Sequence, residues 1–148
     1  MTKGTFPRQF TTHSAEETTE LGRQLAGELK PGSVVLLRGE LGAGKTTLAK
    51  GIAEGFAAAE AAAVTSPTFT LIHEYRGPEV TLYHIDLYRI DTQRELDTLA
   101  LDDLMEPNTI LLIEWGEKFE RFAKERDAEI ALEHKGADER LIAFTTRP

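Results

Sequence analysis

The sequence GELGAGKT occupies residues 39–46 and fits the pattern G-x-x-x-x-G-K-[ST] of a phosphate-binding loop. It follows an apolar run at 34–37 that predicts a buried strand, and a helical pattern starts near Lys45. Three glycines let such a loop curl until its backbone N–H groups point inward, and the helix start adds the positive end of its dipole. The alternative is a glycine-rich turn that only caps a helix. Since glycine makes up about 7% of average usage, a chance match is expected in about a percent or less of such chains, which favours phosphate binding.

The motif gives two side chains a chemical role. Lys45 is placed to reach the β- and γ-phosphates, and the Thr46 hydroxyl is placed to ligate Mg²⁺. The predicted nucleotide contacts in this segment are Gly39, Glu40, Leu41, Gly42, Ala43, Gly44, Lys45, Thr46 and Thr47.

Length and composition set the class of protein. The 148 residues, 41% of them hydrophobic, suit a single domain over 1–148 that buries roughly two-thirds of its unfolded surface. No stretch approaches the ~20 apolar residues that span a bilayer, and the N-terminus has no signal-peptide core, so we expect a cytoplasmic protein without membrane contact. Cysteine is absent, which excludes disulfides, thiolate zinc sites and thiol catalysis. The four histidines are scattered, so a bound metal is expected to have oxygen ligands.

The charge of the chain bears on its partners. Acidic residues outnumber basic ones 25 to 17, the formal net charge is −8, and no run of lysine or arginine forms a stripe. Because a nucleic-acid backbone would be repelled overall, we expect no strong direct nucleic-acid binding unless a local basic patch or a partner supplies it.

The elements before residue 64 are predicted to be mainly helical. Ser14, followed by Glu17, predicts a capping box at the start of a helix that ends before residue 31. A second helix follows the phosphate loop. The alanine-rich tract 57–63 is predicted to extend that helix or to act as a spacer.

Strands are predicted farther along the chain at 70–75, 80–86, 109–113, 129–133 and 141–145. The first two and the last two are separated by turns of hairpin length, so each pair should run antiparallel. Segment 109–113 is apolar without alternation, which favours a central parallel position. Asp91 is predicted to cap a short helix through residue 99, and a second short helix lies at 102–105. Together the patterns predict an α/β, three-layer P-loop NTPase fold with a mixed, mainly parallel sheet, helices on both faces and antiparallel hairpins.

Two acidic residues stand at predicted strand ends. Glu114 follows the apolar strand 110–113, and Asp86 ends the strand that contains His84. A phosphate loop that holds Mg²⁺ usually needs a carboxylate at the end of a neighbouring strand. The alternative is a solvated side chain or a helix cap. One carboxylate would bind the metal and the other would orient the attacking water, and the sequence leaves this division open; His84 is expected to be structural.

The hydroxyl-rich segment Thr65, Ser66, Pro67 and Thr68, followed by Phe69, is a candidate switch that senses the γ-phosphate. An ordinary turn is the equally weighted alternative. Trp115 and Tyr88 flank the two acids, where aromatic residues are more often part of a core or an interface than of the chemistry.

Four segments, in this order along the chain, resemble the TsaE (YjeE) family of bacterial ATPases: GELGAGKTT at 39–47, TSPTF at 65–69, YHIDLYR at 83–89 and LIEWGEKF at 112–119. The resemblance implies an ATPase required to make threonylcarbamoyladenosine, the modified base beside the anticodon in tRNAs that read codons beginning with adenine. It also implies that the protein binds the TsaB–TsaD heterodimer, whose TsaD subunit carries the transferase site, and that ATP hydrolysis resets that complex between turnovers. Contact with tRNA would then be indirect.

The resemblance also assigns residues. Lys45 and Thr46 would hold phosphate and Mg²⁺, Asp86 and Glu114 would complete the metal and water site, and 65–69 would form the switch. Trp115 matches the Glu-Trp pair of the family. The nucleotide contacts of the family near the start of the chain correspond loosely to Thr12 and Ser14. A basic residue near the last hairpin corresponds loosely to Arg140, since the arginine often found right after the glycine of that hairpin is missing.

The sequence leaves other functions open. A small-molecule kinase shares the phosphate loop but needs a lid with several arginines and an acceptor pocket, and a GTPase would carry an N-K-x-D segment, which is absent. A non-catalytic module that uses bound ATP only as a docking switch is the alternative from another class. Turnover in the presence of partners separates this module from an enzyme.

Overall fold

The computed structural model describes residues 8–40, 43–65 and 71–146. The strands in these residues are β1 (Arg8–Thr12), β2 (Val34–Gly39), β3 (Ala59–Thr65), β4 (Leu71–Arg76), β5 (Thr81–Asp86), β6 (Thr109–Glu114), β7 (Ala128–Gly136) and β8 (Glu139–Thr146). The helices are α1 (Ala15–Ala26), α2 (Lys45–Gly55), α3 (Gln93–Thr98) and α4 (Glu120–Glu125), with short 3₁₀ helices at Leu101–Leu104 and Gly116–Lys118.

All of these strands belong to one sheet, in the order β1-β8-β7-β2-β6-β5-β4-β3. The centre is parallel, because β2 pairs with β7 and β6, and β6 pairs with β5. Both edges are antiparallel, built from β4 and β3 on one side and from β8 and β1 on the other. The predicted α/β class is confirmed, but the sheet is not mainly parallel. Three pairings between consecutive strands, together with the pairing of β1 with β8, make four of the seven pairings between described strands antiparallel.

Helices cover both faces of the sheet and give three layers. Alternate strand residues such as Leu37 and Leu112 pack in one core with apolar residues of α1 and α2. Their neighbours Leu36 and Ile113 pack in a second core with Phe122 of α4. All six residues of β6 are buried, which confirms the predicted central position of this strand.

Helices α1 and α2 approach each other through glycines. A Cβ atom on Gly51 would come within 2.2 Å of the Thr19 carbonyl oxygen, and one on Gly22 would come within 2.6 Å of the Leu48 carbonyl oxygen. Backbones can approach this closely only where no side chain intervenes. The contact fixes α2, which begins at Lys45, against its neighbour.

Most of the predicted elements are present. Ser14 caps α1 by accepting a hydrogen bond from the Glu17 N–H at 3.0 Å. The pairs β4–β5 and β7–β8 are the two predicted hairpins, and the helix predicted at 102–105 is the 3₁₀ helix Leu101–Leu104. The cap of α3 is Thr92 rather than Asp91, because the Thr92 hydroxyl accepts the Glu95 N–H in a capping box.

Two strands differ from the sequence prediction. The tract 57–63 does not extend α2: the helix ends at Gly55, Ala57 has a φ of 55°, and Ala59–Thr65 pairs antiparallel with β4. The helix propensity of alanine is a weak preference, and strand pairing overrides it here. Strand β1 was not predicted, although Phe10 and Thr12 alternate with polar neighbours as strand residues do.

Among the described residues, no helix is both long and apolar enough to span a membrane.

Candidate functional site

The phosphate-loop segment lies at the carboxyl end of β2, where α2 begins. Gly39 has a φ of 153°, and a Cβ atom there would come within 2.8 Å of the Leu132 carbonyl oxygen. Gly44 caps α2 in the left-handed region, with a φ of 98°. The Ala43 N–H donates to the Glu40 carbonyl at 3.0 Å and closes a turn. Gly39 and Gly44 thus have backbone conformations that residues with a side chain rarely adopt. Leu41 and Gly42 of the loop lie outside the described residues.

Lys45 folds back across the loop toward the strand ends. Its Nζ donates to the Gly39 carbonyl at 2.6 Å and lies 3.0 Å from Oε1 of Glu114. The ammonium group is also 5.8 Å from the centroid of the Trp115 ring. With only 11% of its side chain exposed, Lys45 presents a positive charge from a fixed position.

Glu114 ends β6 and is held at both carboxylate oxygens. Oε1 pairs with Lys45, and Oε2 lies 2.5 Å from Nε2 of His84. Burial raises the pKa of the Glu114 carboxyl, but the hydrogen bonds and charges of His84 and Lys45 outweigh it and hold the pKa below its usual value. Glu114 is therefore a buried but ionised carboxylate at neutral pH.

Asp86 stands beside Glu114 on the neighbouring strand. The two residues are register partners in the parallel β5–β6 ladder, so their side chains leave the same face of the sheet. Asp86 is exposed, and its Oδ1 accepts the Tyr88 N–H at 2.9 Å. The sequence prediction that both acids meet at the loop edge of the sheet thus agrees with the register.

Thr46 and Thr47 follow Lys45 in the first turn of α2. Thr46 is exposed and Thr47 is half-buried. Their hydroxyls are therefore on the helix whose N-terminus adjoins the loop, and their predicted contacts with nucleotide and metal stay predictions.

Arg140 approaches the loop from the opposite side. It pairs with Thr12 in the β1–β8 ladder, and its Nε donates to the Ala43 carbonyl at 3.2 Å. The Thr12 hydroxyl is buried against that of Thr18, 2.7 Å away. The structure thus brings Arg140 to the loop, with Thr12 beside it in the ladder, while the Ser14 hydroxyl is engaged in capping α1.

A cavity of about 660 Å³ opens beside Lys45. Gly39, Glu40, Trp115 and Glu117 contribute to its wall. Trp115 adopts a left-handed φ of 64°, and its ring lies 5.4 Å from that of Tyr88 between centroids. The exposed Tyr88 and the Trp115 ring thus border the site on the side of the Asp86 loop.

Two residues contribute to the site beyond the sequence prediction. His84, which was expected to be structural, contacts Glu114, and its position two residues before Asp86 on one strand face was an available signal. Lys118 donates from Nζ to the carbonyls of Leu87 and Tyr88 at 3.3 and 3.0 Å, and so supports the loop after Asp86.

The predicted switch falls largely outside the described residues. Thr65 is the last residue of β3, and Ser66, Pro67, Thr68 and Phe69 lie beyond what the structure describes. The switch therefore stays a prediction.

The curled loop after β2, the lysine that starts α2 and the acids at the ends of β5 and β6 define an α/β protein of the P-loop NTPase-like class. A family model described as "Threonylcarbamoyl adenosine biosynthesis protein TsaE" matches residues 12–142. The chain belongs to the TsaE family, which confirms the resemblance seen in the sequence motifs.

Individual relatives agree with this assignment. The chain is 39% identical over 137 residues to the tRNA threonylcarbamoyladenosine biosynthesis protein TsaE of Bacillus subtilis, covering 93% of this chain and 84% of the relative. It is 38% identical to the protein of that name from Rickettsia conorii, over 92% of this chain and 77% of the relative. The crystal structure of Bacillus subtilis YdiB matches with a TM-score of 0.70 at 32% identity, covering 95% of this chain and 85% of that one.

Proposed function

We propose that this protein is a Mg²⁺-dependent ATPase that supports threonylcarbamoyladenosine modification of tRNAs reading codons that begin with adenine. The observation that carries the proposal is the contact of Lys45 with both the Gly39 carbonyl and Glu114, at the start of α2. A lysine in this position reaches the β- and γ-phosphates of a bound nucleotide. Membership in the TsaE family supports the pathway.

The loop and its neighbours supply the phosphate site. The backbone N–H groups of the loop and the N-terminus of α2 favour a polyanion, and Lys45 adds a point charge. Arg140, in contact with the Ala43 carbonyl, adds a second cation at the edge of the loop.

The residues present fit a hard divalent cation. Asp86 and Glu114 offer neighbouring carboxylates, and Thr46 offers a hydroxyl, all oxygen donors of the kind that Mg²⁺ prefers. Among the described residues, no group of three His, Asp or Glu side chains is arranged to hold a metal alone. Mg²⁺ usually keeps several water ligands and binds substrate phosphates. When bound, the ion would neutralise charge on the phosphates.

The two acids suit different tasks. Glu114 is buried and held from both sides, so its direction is fixed, which suits a group that orients the water attacking the γ-phosphorus. Asp86 is exposed at the strand end, which suits a ligand that meets an incoming ion. Positioning and charge neutralisation supply nearly all of the catalysis in phosphoryl-transfer sites of this kind.

The partner is proposed to be the TsaB–TsaD heterodimer. Mg²⁺-ATP would order 65–69 and the loop after Asp86 into a docking surface, and hydrolysis would relax it. Turnover by the protein alone should therefore be slow. The net charge of −8 agrees with contact to tRNA only through the complex.

Phosphate release tests this function directly. We expect slow release by the wild-type protein, faster release with TsaB and TsaD, and a loss of about 100-fold or more in Glu114→Ala, as for a lost transition-state interaction. Glu114→Gln keeps the volume of the side chain and serves as the matched variant. No release by the wild-type protein with TsaB and TsaD present would contradict the enzyme and favour the docking module. Wild-type rates in both Glu114 variants would reject the role of Glu114.

A further inference from the structure

His84 is a buried polar residue that the proposed chemistry does not use. It is 5% exposed, lies on β5 between β4 and β6, and its ring is 6.1 Å from that of His73. Strand pairing on both sides fixes the backbone, and burial restricts the ring. The imidazole is therefore held in one place on the face of the sheet that carries the phosphate loop.

The contact with Glu114 determines that Nε2 of the His84 ring carries a proton. An ionised carboxylate only accepts hydrogen bonds, so at the 2.5 Å contact Nε2 of His84 must be the donor to Oε2 of Glu114. Hydrogen bonds with an ionised partner are the shorter and stronger kind.

The second contact of Glu114 is with the Lys45 ammonium, which also has other partners. The Lys45 ammonium pairs with Oε1 at 3.0 Å and also donates to the Gly39 carbonyl. Any phosphate in the loop would draw on the same ammonium. Of the two contacts to Glu114, the one from His84 is the one that a phosphate would leave intact.

We propose that His84 is a positioning residue for Glu114. Its Nε2–H holds Oε2, so that Oε1 stays directed toward Lys45 and the phosphate end of the site. The effect on turnover rests on the proposed ATPase function, whereas the hydrogen bond itself does not.

Three variants test the effect on turnover. His84→Leu removes the donor, and His84→Gln restores an N–H donor at similar reach. His73→Leu alters a neighbouring histidine, whose ring is 6.1 Å from that of His84 and whose Nδ1 contacts Glu60. We expect His84→Leu to lower kcat by about 10- to 100-fold, as for a lost hydrogen bond to a charged group, with KM for ATP little changed. His84→Gln should recover most of kcat, and His73→Leu should stay within about twofold of wild type.

Nitrogen NMR of the imidazoles gives a readout independent of turnover. The His84 signal, assigned by its loss in His84→Gln, should show a proton on Nε2 and should shift in Glu114→Ala. This measurement decides the matter if His84→Leu does not fold.

The outcomes separate the two claims. The positioning role would be overturned if the kcat of His84→Leu equals that of the wild-type protein. It would also be overturned if His84→Gln is as slow as His84→Leu. If the wild-type protein shows no turnover, the proposed ATPase function is contradicted but the hydrogen bond between His84 and Glu114 is not. In that case an Nε2 without a proton, or a signal insensitive to Glu114→Ala, would overturn the hydrogen bond.

Discussion

At the residue scale, the site depends on charges placed where water has little access. Lys45 and Glu114 expose only 11% and 8% of their side chains. Removing one partner of a buried pair leaves the other uncompensated, which costs more than the pair itself contributes. His84 limits this cost for Glu114, because it keeps one carboxylate oxygen bonded.

The lowered pKa of Glu114 makes folding stability depend on pH. In the fold, Lys45 from α2 and His84 from β5 favour the charged form of the carboxyl, and Asp86 flanks it. When the pH falls below the usual pKa of 4.5, the unfolded chain therefore takes up a proton at Glu114 more readily than the folded protein does. Stability from Glu114 is therefore present above pH 4.5 and is lost as the pH falls through the folded pKa.

Urea unfolding in magnesium-free buffer over this acid range checks the sign. The free energy of unfolding should fall more steeply with decreasing pH in wild type than in Glu114→Gln, which cannot titrate at this position. Equal slopes for the two proteins would show that Glu114 has the same pKa folded and unfolded.

The sequence indicated some of these residues and not their contacts. Lys45 and Thr46 follow from the loop motif, and Glu114 and Asp86 from their places after apolar strands. The contact of His84 with Glu114 depends on how β5 and β6 pair across 30 residues of chain. The sequence places His84 on the same strand face as Asp86, but it does not show which residue of β6 lies opposite.

At the element scale, the close approach of α1 and α2 determines where the phosphate loop ends. Gly22 lies on α1 and Gly51 on α2, and the nearest atoms to a Cβ added at either one are backbone atoms, which cannot rotate away. The start of α2, with Lys45 and Thr46, is thereby tied to α1.

Gly51→Ala tests this contact. Helix propensity alone predicts a gain of about 0.8–1 kcal/mol in an exposed helix. Because the new Cβ would lie 2.2 Å from the Thr19 carbonyl oxygen, we expect instead a loss of about 1–3 kcal/mol in the free energy of unfolding, as for overpacking.

Gly27→Ala is the matched control. Gly27 has a φ of −65°, and an added Cβ would meet the Gln24 carbonyl oxygen at 3.5 Å, an ordinary contact. Its effect should stay within about 0.5 kcal/mol. A stabilised Gly51→Ala protein would contradict the packing of α1 against α2.

The cap of α1 gives a second prediction at this scale. Ser14→Ala removes the acceptor of the Glu17 N–H and should lower the free energy of unfolding by about 1 kcal/mol. Ser14→Asn keeps a capping side chain and should retain most of the stability. If both variants unfold like wild type, the cap is not stabilising. The nucleotide contact of Ser14 stays a separate prediction, which ATP affinity of the same variants tests.

The elements that were missed share a cause. Among the described strands, the alanine-rich β3 has β4 as its one partner at one edge of the sheet, and β1 has β8 at the other edge. Strand β1 depends on a partner at the other end of the chain, and its own strand propensity is weak. Strand β3 depends on its pairing with β4, which overrides the helix propensity of its alanines. Helix α1, with its cap at Ser14, and the hairpins β4–β5 and β7–β8 carried their own local signals and were predicted.

At the scale of the whole molecule, one topological feature assembles the site. Strands β2, β6 and β5 are neighbours and parallel, so their carboxyl ends meet at one edge of the sheet. Residues 45, 86 and 114 reach the same place only through this order. Ligands of open α/β sheets bind at such carboxyl ends, which agrees with the proposed nucleotide site.

The central claim is that this edge of the sheet binds ATP through Lys45. Isothermal titration calorimetry with ATP and Mg²⁺, run on the wild-type protein and on Lys45→Ala, tests it most directly, with thermal unfolding to confirm that the variant is folded. We expect saturable one-site binding by the wild-type protein and its loss in folded Lys45→Ala. No binding of ATP by the wild-type protein in the presence of Mg²⁺, or equal binding by both proteins, would contradict it.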